Sequence, residues 1–209
     1  MAIYKEYQWE HFQLLIWKLD EADELSIKPE ELSEPDQKKW QKIKNPQRRL
    51  EFLGARAALA ELLGANPKLS YSKSGAPQLD SHQGVSLTHN REYAAAMISK
   101  NYRVGLDLEA YRPQMTQLKS RYLSDQELNS LGKDEESLQQ LSSYWCAKES
   151  LIKLLDAPEL DLRKQIRISP FHLGKSAIGK AVVKKQGEQL IFPLYFKLEK
   201  DFCLCFSFH

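Results

Sequence analysis

Residues 104–109 read Val-Gly-Leu-Asp-Leu-Glu, an apolar run that places two acids two residues apart. The alternation is that of a strand, with Val104, Leu106 and Leu108 on one face and Gly105, Asp107 and Glu109 on the other. The aliphatic face can bury. On the opposite face the two carboxylates stand about 6–7 Å apart at strand spacing, and their repulsion must be relieved by a cation, by an array of hydrogen-bond donors or by bulk water.

Upstream of this strand, GVSLTH (84–89) and YAAAMIS (93–99) read as a strand pair, and SKSGAPQL (72–79) has the composition of a turn. Nearer the start, LLIWKL (13–18) predicts a strand, followed by an acidic, Pro-containing connection and a helix over 34–43. Pro46 then opens a long helical pattern that stops at Gly64. Its apolar positions Leu50, Leu53, Ala57 and Ala60 form a buried stripe, with Arg49 and Arg56 off it. Downstream, SDQEL (124–128) carries the capping-box pair Ser124 and Glu127, and a long helix is expected over 142–156. Strands are expected over 165–169, 177–185, 190–198 and 202–208.

A long helix, a turn region and a hairpin ending in an apolar strand therefore occur once in each half. This order predicts an α+β protein of two tandem pseudo-repeated α/β subdomains, each a small, mainly antiparallel sheet with a long helix. The expected halves are 1–102 and 103–209, with a ligand at the seam between them.

The 209 residues, 42% hydrophobic and 28% charged, describe an ordinary globular protein of one large or two small domains. Thirty basic against 28 acidic residues leave a formal charge of +2, which implies no bulk attraction to nucleic acid or membrane. The start, MAIYKEYQWEHF, lacks a basic region followed by an apolar one, and no window approaches the roughly 18 apolar residues of a membrane span. The expected location is cytoplasmic. Three cysteines, Cys146, Cys203 and Cys205, are odd in number and lack paired-ligand spacing, so neither a disulfide framework nor a zinc site is indicated. Cys203 and Cys205 are expected on one face of a buried strand.

In the helix around 145–153, Tyr144, Ala147, Leu151 and Leu154 form the core stripe, while Trp145, Glu149, Ile152 and Lys153 share an adjacent face. Taken alone, Glu149 and Lys153 read as an i,i+4 ion pair of about 0.3–0.5 kcal/mol on a solvated surface. Asp107-x-Glu109 alone is equally unspecific.

Taken together, VGLDLE and WCAKESLIK (145–153) resemble the two signature motifs of the 4′-phosphopantetheinyl transferase superfamily. Those motifs are apolar-Gly-apolar-Asp-apolar-Glu and Trp-x-x-Lys-Glu-[Ser/Ala]-x-x-Lys. SKSGAPQL is similar to the family's Lys-x-Gly-Lys-Pro segment, VSLTHNREYAAAM to its Ile-Ser-His-Ser segment, and the Arg-rich helix ending at Arg56 to the family's coenzyme A-contacting helix. The resemblance covers roughly residues 48 to 155, and the length fits the tandem, surfactin-synthetase-activating type. Two positions depart from the pattern: Thr88-His89 replaces Ser-His, and Ala76 replaces a Lys, leaving Lys73 as the substitute phosphate contact.

The resemblance implies a transferase that moves 4′-phosphopantetheine from coenzyme A to a serine of an apo acyl or peptidyl carrier protein, releasing 3′,5′-ADP. It implies Mg²⁺ on Asp107, Glu109 and Glu149, a catalytic set of Asp107, Glu149 and Lys153, and coenzyme A contacts from Arg49, Arg56, Lys73, Thr88, His89 and Lys148. Glu149 or a metal-bound water would take the serine proton, and Lys153 would donate to the departing oxygen. A monomer is expected, with coenzyme A and an apo carrier protein as partners and no nucleic acid or membrane. Two other readings fit the same residues: a degenerate coenzyme A or carrier-protein binding module, and a Mg²⁺-dependent phosphohydrolase.

Overall fold

In the first part of the chain, Leu14, Leu15, Ile16 and Trp17 are all at most 5% exposed, so their strand is covered on both faces and lies inside a sheet rather than at its edge. The computed structural model describes residues 2–19, 27–82, 84–131, 135–174 and 176–209; residues 20–26 of the predicted acidic connection lie outside them. The chain divides into two compact units, Met1–Val104 and Gly105–His209.

The first unit runs β1 (Ala2–Gln8), β2 (Gln13–Lys18), α1 (Glu34–Lys42), α2 (Pro46–Leu63), the short pair β3 (Ser70–Tyr71) and β4 (Pro77–Gln78), β5 (Gly84–His89) and β6 (Tyr93–Ser99). Its four-stranded sheet has the order β1-β2-β6-β5, every neighbouring pair antiparallel. Helix α2 begins where the Asn45 side chain accepts from Arg48 N at 3.1 Å, and it ends at Gly64, whose φ of +64° lies where an L side chain is strained. It lays Phe52, Leu53, Ala57, Ala58 and Leu59 against Leu15, Trp17, Val85, Ala96 and Ile98 of the sheet.

The second unit begins within β7 (Val104–Ala110) and goes on through α3 (Gln114–Tyr122), α4 (Asp125–Asn129), α5 (Glu135–Leu155), β8 (Ile166–Ile168), β9 (Ser176–Lys185), β10 (Glu188–Leu198) and β11 (Phe202–Phe208). The sheet order is β7-β11-β10-β9-β8. In β9 and β10 only one face buries: Ala181, Val183, Phe192, Leu194 and Phe196 join Cys203 and Cys205 of β11 beneath Tyr144, Cys146, Ala147, Leu151 and Leu154 of α5. The expected core stripe of the long helix is therefore the observed one. The protein is α+β, with antiparallel sheets and no described helix long and apolar enough to cross a membrane.

Elements that exceed the sequence reading include β1, the short pair β3 and β4, α3 and the first turns of α5. The reason is a thin pattern. Within α3 only Met115 and Tyr122 are buried, one apolar contact per two turns, and in β1 Ile3 is 47% exposed, so alternation carries little signal.

Candidate functional site

Gly105 sets the position of the acids. An ideal Cβ there would stand 1.9 Å from Ser150 O and 2.6 Å from Leu154 N, so only glycine lets the backbone of α5 lie directly on β7. Backbone groups exposed by that approach are then bonded: the Cys146 thiol donates to Asp107 O at 2.9 Å, and Lys153 Nζ donates to Leu106 O at 3.0 Å. The face that carries Gly105, Asp107 and Glu109 is thus the one that meets the helix.

Asp107 is 7% and Glu109 8% exposed. Lys153 Nζ stands 2.8 Å from Asp107 Oδ1, and an Arg112 guanidinium nitrogen stands 2.7 Å from Glu109 Oε1. The question raised by the two acids has this answer among the described residues: each has its own protein cation. Lys153 pairs across to β7 rather than with Glu149 one turn away, so the simple i,i+4 ion pair is not what forms. Glu149 is half-buried and makes no hydrogen bond or ion pair among the described residues. Burial first, and the charge of Asp107 second, push its carboxyl above the ordinary range, while Lys153 opposes the shift. Glu109 is raised chiefly by burial, with Arg112 opposing and Asp107 adding.

The donor chemistry at Asp107, Glu109 and Glu149 is all carboxylate oxygen, buried or half-buried, with Asp107 repelling each of the other two, which suits a hard divalent cation. No group of three or more His, Cys, Asp or Glu side chains stands arranged to hold a metal ion among the described residues. Glu109 is turned to Arg112, leaving Asp107 and Glu149 as the neighbouring pair. One or two carboxylates completed by substrate phosphates and water is the usual mode for a small hard cation, so this residue set fits one.

Lys148 is placed otherwise than its expected role. Its side chain is 0% exposed, and Nζ reaches Tyr122 O (2.7 Å), Leu162 O (2.8 Å), Ile166 O (2.8 Å) and Glu127 Oε2 (2.8 Å). One residue from Glu149 is about 100° around a helix, enough to turn Lys148 into the core. Burial lowers the basicity of its ammonium and Glu127 restores part of it. Glu127 in turn accepts from Ser124 N at 2.7 Å and Ile168 N at 2.8 Å. This lysine ties α5, α4 and β8 together and has no surface to offer a ligand.

In the first unit, Arg56 also departs from expectation. It is 6% exposed, with Nε and Nη2 at 3.2 and 3.0 Å from Asp36 Oδ1, Nη1 on Phe52 O at 3.3 Å and Nη2 on Tyr71 OH at 2.7 Å. Tyr71 donates to the same Asp36 oxygen. The guanidinium is turned into this cluster because α1 brings a buried acid, Asp36, onto α2. Arg49, half-buried, spends Nε on Ile43 O at 2.7 Å and lies over the Trp40 ring at 4.4 Å. Lys73 is exposed in the β3–β4 turn, Thr88 is 4% exposed, and His89 Nδ1 is 3.1 Å from Glu51 Oε2 at the end of β5. Arg48 shares Glu51 at 2.7 Å.

A family model, the 4′-phosphopantetheinyl transferase superfamily, matches residues 103–206, a span that opens on the Gly-x-Asp-x-Glu strand and contains the Glu149–Lys153 helix. Through residues 103–206 the chain belongs to the 4′-phosphopantetheinyl transferase superfamily. No curated protein sequence matches it. Membership in this superfamily makes the chain a transferase of the phosphopantetheine class, with coenzyme A as the family's substrate. Three residues of this superfamily member escaped the sequence reading, Asp36, Glu51 and Arg112, and Glu127, read there as a helix cap, was not foreseen as the partner of Lys148. Only Arg112, three residues after Glu109, and Glu51, three after Arg48, left a local signal in the form of opposite charges at contact spacing.

Proposed function

We propose that the protein transfers 4′-phosphopantetheine from coenzyme A to a serine of an apo carrier protein, with Mg²⁺, releasing 3′,5′-ADP. The observation that carries the reading is Glu149: an unpaired, half-buried carboxylate with raised proton affinity beside the Lys153–Asp107 pair, inside the matched family span. Asp107 and Glu149 would hold the cation, with Glu109 released from Arg112 as a further oxygen. When bound, Mg²⁺ supplies charge stabilisation for the phosphoryl group in flight.

The chain's own groups account for the proton movements. Glu149, its carboxyl destabilised as an anion by burial and by Asp107, accepts the proton of the attacking serine hydroxyl. Lys153, held by Asp107 and Leu106 O, donates to the oxygen that leaves with 3′,5′-ADP. We assign the phosphates of coenzyme A to Arg49, Lys73, Thr88 and His89, and leave Lys148 and Arg56 out of that set because both are buried and already bonded to buried partners. The protein acts as a monomer in the cytoplasm.

The test is the intact mass of a panel of apo carrier proteins after incubation with the protein, coenzyme A and Mg²⁺. A gain of about 340 Da, the phosphopantetheine mass expected of this phosphoryl transfer, is the predicted result. EDTA should abolish the gain and added Mg²⁺ restore it. No gain on any carrier, with coenzyme A still bound, would leave a binding module, and phosphate release without a carrier would mark a hydrolase.

A further inference from the structure

The outer face of β8–β10 takes no part in the site described above. In β9, Ile178, Lys180, Val182 and Lys184 alternate with the inward residues, and their cross-strand partners on β10 are Tyr195, Pro193, Ile191 and Gln189. Arg167 of β8 lies opposite Val182 on the same face. Helix α5 covers the other side of this sheet.

Ile178 and Ile191 are 74% and 59% exposed, two of the four exposed large hydrophobic side chains among the described residues. Every charged side chain of the three strands on this face is cationic: Arg167, Lys180, Lys184 and Lys197. Arg167, Lys180 and Lys184 make no ion pair among the described residues. Arg167 and Lys184, with Lys164, Val182 and two glutamines, also line a depression of about 140 Å³.

Exposed aliphatics set among uncompensated cations are complementary to a surface that is both apolar and acidic. Three strands span about 10 Å, close to the 10–12 Å width of a helix with its side chains. Ile178 and Val182, four residues apart on one strand, are separated by about 13 Å, close to two helical turns of about 11 Å. The depression admits a projecting carboxylate, which Arg167 can hold through two parallel hydrogen bonds, whereas a flat lipid surface would leave it empty.

We propose that this face docks an acidic amphipathic helix of a partner protein, with the helix's apolar stripe on Ile178, Val182 and Ile191 and its carboxylates on Arg167, Lys180 and Lys184. The docking face is separate from Asp107 and Glu149 and does not depend on the transfer reaction.

The probe is a fluorescein-labelled synthetic helix with Leu at successive i, i+4 and i+7 positions and Glu elsewhere. It is titrated with the full-length protein and followed by fluorescence anisotropy. Saturable binding is expected, weakened about tenfold or more by Lys180→Glu/Lys184→Glu and by Ile191→Ser, and weakened by added salt. All three substitutions are at exposed or half-buried surface positions, and circular dichroism checks that the fold persists. The same peptide with Lys in place of Glu should not bind. Absence of saturable binding, or binding equal in all variants, would overturn the proposal. So would vesicles of phosphatidylserine that bind the wild type and not the variants while the peptide fails to bind, which would assign the face to a membrane.

Discussion

At the scale of the residue, the site is decided by which charges have partners. Lys148 and Lys153 lie five residues apart on one helix, yet the first is sealed among four oxygen acceptors and the second remains 30% exposed on Asp107. Removing the first should unfold; removing the second should inactivate. Lys148→Met leaves Glu127 as an unpaired buried charge and is expected to cost about 3–5 kcal/mol in urea unfolding, with Glu127→Gln in the same chain recovering part of that loss. Lys153→Ala is expected to lower transfer about 100-fold or more; it also leaves the buried Asp107 without its cation, at a stability cost smaller than that of Lys148→Met because Lys153 is itself 30% exposed. Comparing carrier modification rates with unfolding curves for the two variants checks both. The acids and Lys153 were legible in the sequence because two motifs name them. The burial of Lys148 was not, because a motif records which residues are present and carries no statement of which side of the helix meets the core.

At the scale of the element, the seating of α5 on β7 depends on one missing methyl group. Gly105→Ala would bring a Cβ within 1.9 Å of a helix carbonyl oxygen, a backbone atom that no rotamer change can move. The helix would have to lift, breaking the Cys146 and Lys153 bonds to β7. A loss above about 3 kcal/mol is expected, measured by urea unfolding, because backbone displacement adds to overpacking. In the first unit α1 is joined to α2 through Asp36 and Arg56, with one Asp36 oxygen buried and without a hydrogen bond among the described residues. Arg56→Met should therefore destabilise by about 3–5 kcal/mol, because it leaves a buried anion, and it should do so with no coenzyme A present. A coenzyme A affinity changed without any change in unfolding would contradict this. Strands with one buried face and helices with defined ends were readable from alternation and from Pro46, Gly64, Ser124 and Glu127. Helix α3, with two buried side chains seven residues apart, was not.

At the scale of the whole molecule, all three cysteines are buried at 0% exposure, and burial raises the thiols of Cys146 and Cys205 above their ordinary range. A thiol-specific chromogenic reagent should therefore label none of them rapidly in the native protein and all three after denaturation; fast native labelling would count against this packing. The same cysteines illustrate how far the sequence reaches. By itself it determined the α+β class, most of the strands and helices and the superfamily, and it singled out the three acids and Lys153 as candidates, because these rest on residue type, period and spacing along one chain. Only the tertiary structure decided which charges meet: Lys153 with Asp107 forty-six residues away instead of Glu149 four away, Glu109 with Arg112, Lys148 with Glu127 and Arg56 with Asp36. The physical reason is that an ion pair forms where burial removes water from two groups and their backbones approach closely enough. Both conditions are properties of packed elements, and neither is written in the local pattern of any one of them.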